Sequence, residues 1–277
     1  MTIPERRALA DVLDSHPLAR VAWHAAAAAG AFLKDERPID LLVDTKSSPS
    51  DAVTQMDRTA EALISAALLG SRPDDGLLGE EGGERIGTSG VRWIVDPLDG
   101  TVNYLYRMPM WGVSIAAEED GIVTVGIVAT PEFGETYVAV RGGGAWRVVG
   151  GVAERLAVSD CADLQVAMVA TGFGYDALMR RRQSEIVTGL ISEIRDVRRT
   201  GSAVVDFCWL ARGRLDAFFE KGLNAWDYSA GALIAREAGA VVTGLHDDDL
   251  SDFFVAAAPG IAEPLRRALV DLRADEF

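Results

Sequence analysis

The run Asp96-Pro97-Leu98-Asp99-Gly100-Thr101 holds the residue types best suited to chemistry. It follows Val91-Arg92-Trp93-Ile94-Val95, an apolar run that predicts a buried strand. A strand ending in two carboxylates needs compensation, because an unpaired buried carboxylate is costly. A hard divalent cation, which prefers oxygen ligands, is the simplest partner. Pro97 fixes its own φ and biases Asp96 toward an extended backbone. The turn can then aim the Asp96 carboxylate, the Leu98 carbonyl and Asp99 at one point. Asp99 is also a good N-cap for a helix opening at Gly100-Thr101. A helix N-terminus offers free N–H groups and partial positive charge to a phosphate. Carboxylates with cations, beside an anion-binding helix end, describe a site for cleaving a phosphate ester. The plainer reading is an Asp-Pro turn followed by an ordinary cap, so the neighbours decide.

Four other places hold candidate partner acids. Glu80-Glu81 ends the apolar run from Leu77. Adjacent strand residues face opposite sides, so at most one of the two is a direct ligand. A solvated loop end is an equally good local reading. Asp227, after Trp226, opens an apolar helix and is either a plain N-cap or a cap that also faces a metal. Asp57 follows Thr54 on a helix and reads locally as a surface acid; Glu220 reads as a charge at a strand end. His16, His24 and His246 stand outside these segments and are assigned no chemistry.

With these segments in this order, the sequence resembles the inositol monophosphatase family, magnesium-dependent and lithium-sensitive phosphatases. The resemblance rests on Lys46-Ser47-Ser48-Pro49-Ser50-Asp51 through Asp57, on Gly79-Glu80-Glu81, on Trp93 through Asn103, and on Trp226-Asp227-Tyr228-Ser229-Ala230-Gly231 through Gly239. It implies that Glu80, Asp96 and the Leu98 carbonyl hold a first Mg2+. Asp96, Asp99 and Asp227 would hold a second, and Glu80 with waters a third. Asp57 and Thr101 would orient and deprotonate the attacking water, with Glu80 counted beside them as catalytic. The N–H groups of Gly100 and Thr101 would bind phosphate oxygens. Gly201, Ser202, Ala203 and Glu220 would meet the alcohol part of the substrate, with Asp99 and Asp227 bordering it. Ser202 stands where threonine is frequent in the animal enzymes. Thr171-Gly172-Phe173, also near the alcohol in relatives, follows a bacterial pattern. The substrate implied is a small phosphorylated polyol, foremost inositol 1-phosphate. Histidinol phosphate, fructose 1,6-bisphosphate and adenosine 3′,5′-bisphosphate are alternatives used by relatives. A regulatory protein that keeps the fold and acts through partners is the reading from another class. A homodimer is implied as well.

The elements that must position these residues follow from periodicity. Helices are predicted over 17–34, 55–69, 176–194, 203–211, 228–238 and 261–272. Strands are predicted over 52–54, 77–83, 165–170, 216–219, 241–242 and 253–257, and a β-meander over 111–149. The glycines of Arg141-Gly142-Gly143-Gly144 lack nucleotide-loop spacing and read as a hairpin turn. Residues 45–51 read as a polar loop able to close over the metals. The texture changes after Ala153. An N-terminal α+β half (1–153) would carry most metal ligands, and a C-terminal α/β half (154–277) would supply Asp227 and the substrate pocket. The expected architecture is α/β (α+β), a layered α-β-α-β-α sandwich with the site between the halves.

The chain has 277 residues, 49% of them hydrophobic, which suits a folded protein with a substantial core. Its net charge of −15 disfavours binding to a nucleic-acid backbone. Two cysteines, Cys161 and Cys208, make no disulfide framework, and Cys208 reads as core. The longest apolar run is too short to span a membrane, and no signal-peptide core follows the N-terminus. A cytoplasmic location is expected.

Overall fold

The computed structural model describes residues 4–39, 43–45, 52–246, 249–250 and 252–276. Sixteen strands and eight α-helices follow one another in these segments. The strands are β1 (Arg6–Ala8), β2 (Val43–Thr45), β3 (Ala52–Thr54), β4 (Gly76–Gly79), β5 (Gly83–Arg85), β6 (Val91–Asp99), β7 (Gly112–Glu119) and β8 (Ile122–Thr130). They continue with β9 (Glu135–Val140), β10 (Gly144–Val149), β11 (Val152–Arg155), β12 (Met168–Thr171), β13 (Asp196–Arg198), β14 (Ala217–Lys221), β15 (Val241–Gly244) and β16 (Phe253–Ala257). The helices are α1 (Leu9–Leu13), α2 (Pro17–Asp35), α3 (Gln55–Ser71), α4 (Thr101–Leu105), α5 (Ala177–Leu190), α6 (Ala203–Ala211), α7 (Ala225–Glu237) and α8 (Ala262–Asp271).

Two sheets organise the chain. The larger has the order β1-β11-β10-β9-β8-β7-β6-β4-β5, antiparallel except where β4 runs parallel to β6. The smaller has the order β13-β12-β14-β16-β15; β12 is parallel to both β13 and β14, and the other pairs are antiparallel. A third pairing joins β2 to β3.

Side-chain alternation along β6 explains the layers. Val91, Trp93 and Val95 face a core formed with α2 and α3, whose Ala19, Ala22, Ala26 and Ala60 let the helices approach closely. Ile94 points to the other face, with Ala116 and Val128, and packs on Val204, Cys208, Ala230 and Leu233 of α6 and α7. The opposite sides of α6 and α7 meet the smaller sheet through Phe207, Phe218 and Phe254, whose rings lie 4.8–5.0 Å apart. The far face of that sheet is covered by Ile186 and Leu190 of α5 and Leu265 and Leu269 of α8. The order of layers is therefore helix, sheet, helix, sheet, helix, as the sequence predicts.

Several boundaries differ from the sequence reading. β4 stops at Gly79, so Glu80 and Glu81 occupy a tight turn before β5 rather than a strand. β12 starts at Met168, because Leu164–Val166 form a 3-10 turn capped by Asp163. β14 extends to Lys221 and takes in Glu220. The glycine run does form the turn between β9 and β10, where Gly142 N and Gly144 N donate to the Glu237 carboxylate at 2.8 and 2.9 Å. Cys208 is fully buried core. The predicted loop over residues 46–51 lies outside the described residues. Among those described, no helix is long and apolar enough to cross a membrane.

Candidate active site

β6 pairs regularly with β7 as far as Asp96, opposite Ser114, and then slips: Asp99 stands opposite Gly112. Three steps along β6 match two along β7, so one residue is bulged. Residues three apart on a regular strand face opposite sides. The bulge cancels that difference and turns Asp96 and Asp99 to the same side. Pro97 has no N–H to give the ladder, and Leu98 N donates instead to Asp96 Oδ1 at 2.9 Å.

Asp227 completes the group. It is not the N-cap of α7 but its third residue, because the helix opens two residues earlier, after Asn224. Its Oδ2 accepts from Asn224 N at 2.7 Å. Oxygens of Asp96, Asp99 and Asp227 lie within 4.8 Å of one another. Among the described residues, none of the three makes an ion pair with lysine or arginine. Burial pushes the Asp96 carboxyl well up, reinforced by the charges of Glu80, Asp99 and Asp227. Burial and the Asp99 charge do the same to Asp227. Asp99 is pushed up to about 6 by burial, against the opposing hydrogen bonds of Ser202 and Val204.

Asp99 is not an N-cap either. The cap of α4 is Gly100, at φ 87, a left-handed conformation that glycine adopts without steric cost. A Cβ there would also sit 2.8 Å from Met110 O. Freed from capping α4, the Asp99 Oδ2 accepts from Ser202 Oγ and from Val204 N (2.9 Å), both at the start of α6.

Asp57 is 1% exposed, not a surface acid. Its Oδ2 accepts from Thr54 N at 2.9 Å and from the Thr54 hydroxyl, closing the first turn of α3. Its Oδ1 faces Thr101 Oγ1 at 3.0 Å. The same hydroxyl lies 3.0 Å from Leu98 O. It has one proton for two acceptors, so donating to Asp57 leaves the Leu98 carbonyl available to another partner. Burial raises the Asp57 carboxyl to about 6.

These groups border a cavity of about 320 Å³. Glu80, Asp96, Leu98, Asp99, Gly100, Thr101 and Asp227 form one wall; Gly201, Ser202, Ala203 and Glu220 form the other. Of the residues singled out in the sequence, Asp57 is set back behind Thr101, and Glu81 and Thr171 also lie outside the cavity lining. Glu220 is pushed up to about 8 by burial and by the charge of Asp206, with Arg199 opposing. It packs on the backbone of Gly172: a Cβ there would lie 2.1 Å from both Glu220 oxygens. Two residues of this wall were not anticipated. Asp206 is 2% exposed, and its Oδ1 has no hydrogen-bond partner among the described residues. Arg199 lines the cavity, with Nη1 2.5 Å from where a Gly201 Cβ would stand. A signal for Asp206 existed: it is the single charge in the apolar run 203–211.

The model for the inositol monophosphatase family matches residues 14–275. The chain belongs to that family. Membership supports phosphatase activity. An inositol-1-monophosphatase SuhB of Mycobacterium tuberculosis is 40% identical over 275 residues, covering 92% of this chain and 95% of that one. A Nus factor SuhB of Escherichia coli is 38% identical over 266 residues, covering 94% and 98%. Among solved structures, the extragenic suppressor protein suhB from Bartonella henselae is 35% identical, with a TM-score of 0.84 over 92% of this chain and 98% of that one.

The side chains present fit a divalent metal, as expected of an inositol monophosphatase family member. The donors are all oxygens, the set a hard cation takes. Three crowded carboxylates that repel one another, with no ion-paired cation among the described residues, are the electrostatic complement of such an ion.

Proposed function

We propose that this chain is a Mg2+-dependent phosphomonoesterase acting on a small phosphorylated polyol, foremost inositol 1-phosphate. The convergence of Asp96, Asp99 and Asp227 beside the Thr101–Asp57 pair carries the reading. In it, Glu80, Asp96 and the Leu98 carbonyl hold one Mg2+, Asp96, Asp99 and Asp227 a second, and Glu80 helps with a third. The bound ions would polarise the phosphate and lower the pKa of water.

The chain's own groups then have distinct tasks. Thr101 donates its proton to Asp57 and offers its lone pairs to the attacking water, which aligns that water. Asp57 accepts the proton that the water gives up, relayed through the Thr101 hydroxyl. The N–H groups of Gly100 and Thr101 hold phosphate oxygens as charge builds on them. Gly201, Ser202, Ala203 and Glu220 orient the alcohol part, with Asp99 and Asp227 at its border. Water attacks in line and no covalent phosphoenzyme forms. The same chemistry on histidinol phosphate, fructose 1,6-bisphosphate or adenosine 3′,5′-bisphosphate differs only in the alcohol wall. We extend the proposal to lithium sensitivity, a cytoplasmic homodimer, and an N-terminal half (1–153) and C-terminal half (154–277) that share the site.

Phosphate release from these four esters, with Mg2+ and with chelator, tests the proposal. Release that needs Mg2+ and favours inositol 1-phosphate supports it; no release from any ester would count against it. A regulatory role through partners is the second reading, favoured by the name Nus factor SuhB of the Escherichia coli relative. In that case partner capture would survive Asp99→Asn while phosphate release would not.

A further inference from the structure

α3 presents a second buried acid to the site. Glu61 stands one helical turn after Asp57, on the same face, and is 5% exposed. Its carboxylate does not enter the cavity. It lies inside the turn that joins β4 to β5. Glu81 N donates to Glu61 Oε2 at 2.8 Å. A Cβ on Gly79 would be 2.6 Å from Oε2, and one on Gly82 would be 2.6 Å from Oε1. The turn is thus wrapped around the carboxylate, and it closes only because both flanking residues lack side chains. Neither glycine has positive φ, so space rather than backbone conformation requires them. Glu80 sits between these fixed points, with its N–H on Val95 O at 3.3 Å and its side chain in the cavity wall.

We propose that Glu61 is a positioning residue: it clamps the Gly79-Glu80-Glu81-Gly82 turn and so aims the Glu80 carboxylate at Asp96 and the cation site. The inference rests on the proposed function, in which Glu80 holds Mg2+. It makes α3 a two-part support. Asp57 serves Thr101 from the first turn of the helix, and Glu61 serves Glu80 from the second. Outer partners that orient a metal-binding side chain carry a large share of metal affinity, typically 10–100-fold.

The test is calorimetric titration of Mg2+ into the metal-free protein, with the Mg2+-induced rise in Tm as a second readout. Glu61→Ala removes the clamp and is expected to weaken Mg2+ roughly 10–100-fold. Gly82→Ala leaves Glu61 intact but forces its carboxylate away, at an exposed position where the added methyl meets no other group within 4 Å, and is expected to weaken Mg2+ in the same direction. Glu61→Gln keeps an acceptor for Glu81 N–H and should recover part of the loss. Unchanged Mg2+ affinity in both Glu61→Ala and Gly82→Ala, with only a lower Tm, would overturn the assignment and leave Glu61 a structural group. If the wild-type protein itself takes up no Mg2+, the proposed function fails, and this inference with it.

Discussion

Replacing Asp99 by Asn should stabilise the metal-free protein while abolishing its response to Mg2+. The oxygens of Asp96, Asp99 and Asp227 lie within 4.8 Å of one another. At that separation, with an effective dielectric constant of about 20, two full charges repel by about 3.5 kcal/mol. Proton uptake limits what the fold has to bear. The Asp99 carboxyl rises from 3.8 to about 6, and about 2 pH units correspond to about 3 kcal/mol lost above pH 6. Asn is isosteric, and its amide oxygen can keep the bonds from Ser202 Oγ and Val204 N. A gain of about 3 kcal/mol should raise the metal-free Tm by roughly 6 °C in a chain of this size. The pH dependence fixes the sign. Asp99 has a folded pKa above its unfolded value, so the folded state binds the extra proton and stability falls as pH rises from about 4 through about 6. The gap between variant and wild type should therefore close when the pH is lowered from 7.5 to 4. In saturating Mg2+ the order should reverse, because ligand binding to the native state raises Tm only where the site is intact. Turnover should fall at least ~100-fold, since the ions carry several kcal/mol of charge stabilisation. The assay is thermal unfolding in chelator and in Mg2+ at both pH values. A lower metal-free Tm together with a preserved Mg2+ response would refute the reasoning.

Three further outcomes follow from the same site. With Asp57 raised to about 6, the proton acceptor is lost as pH falls through that value, so kcat should drop below about pH 6; Asp57→Asn should slow turnover ~10²–10⁴-fold and remove that acid limb, and an unaltered limb would exclude Asp57 as the base. Gly172→Ala puts a methyl carbon 2.1 Å from the Glu220 oxygens, so KM for inositol 1-phosphate should rise roughly threefold to tenfold, about one hydrogen bond to a protonated carboxyl, while p-nitrophenyl phosphate, which has no polyol, is hydrolysed as before; equal effects on both esters would separate Glu220 from polyol recognition. Burial holds the Asp206 carboxyl well above its ordinary value, so wild-type stability should decline with rising pH, and Asp206→Asn should flatten that decline in urea unfolding at pH 5 and pH 8, with the variant the more stable at pH 8.

Residue type and local pattern made much of this architecture legible. The apolar run Val91 to Val95 marked β6 as a buried strand, and the apolar runs after Ser202 and Trp226 marked α6 and α7. The acids of the cluster stood out because carboxylates at the ends of apolar runs need a reason. Features that depend on pairing were not legible. The bulge that brings Asp96 and Asp99 to one side exists only against β7. The caps of α4 and α7 were misplaced by one and three residues, since Gly100 and Asn224 serve where Asp99 and Asp227 were expected. Asp57 looked like a surface acid because its burial comes from β6 and α4, far along the chain. Glu61 carried no local signal beyond its four-residue spacing from Asp57, and its role emerges only when the turn at residues 79–82 closes around it.

Those misplaced caps point to how the acids are held. Asp57 accepts from Thr54 N at the start of α3, Asp227 from Asn224 N at the start of α7, and Asp99 from Val204 N at the start of α6. Each is a carboxylate fastened to the first turn of a helix, where unpaired N–H groups and the helix dipole favour negative charge. Helix starts from opposite ends of the sequence thus converge on the bulged end of β6. That arrangement answers the difficulty posed by acids at the end of a buried strand. The repulsion in the cluster is offset partly by the two helix N-termini that hold Asp99 and Asp227, while a third fixes Asp57 behind Thr101. Binding a cation then requires little rearrangement of these side chains, and the ordering cost that a loose cluster would incur on binding is already met during folding.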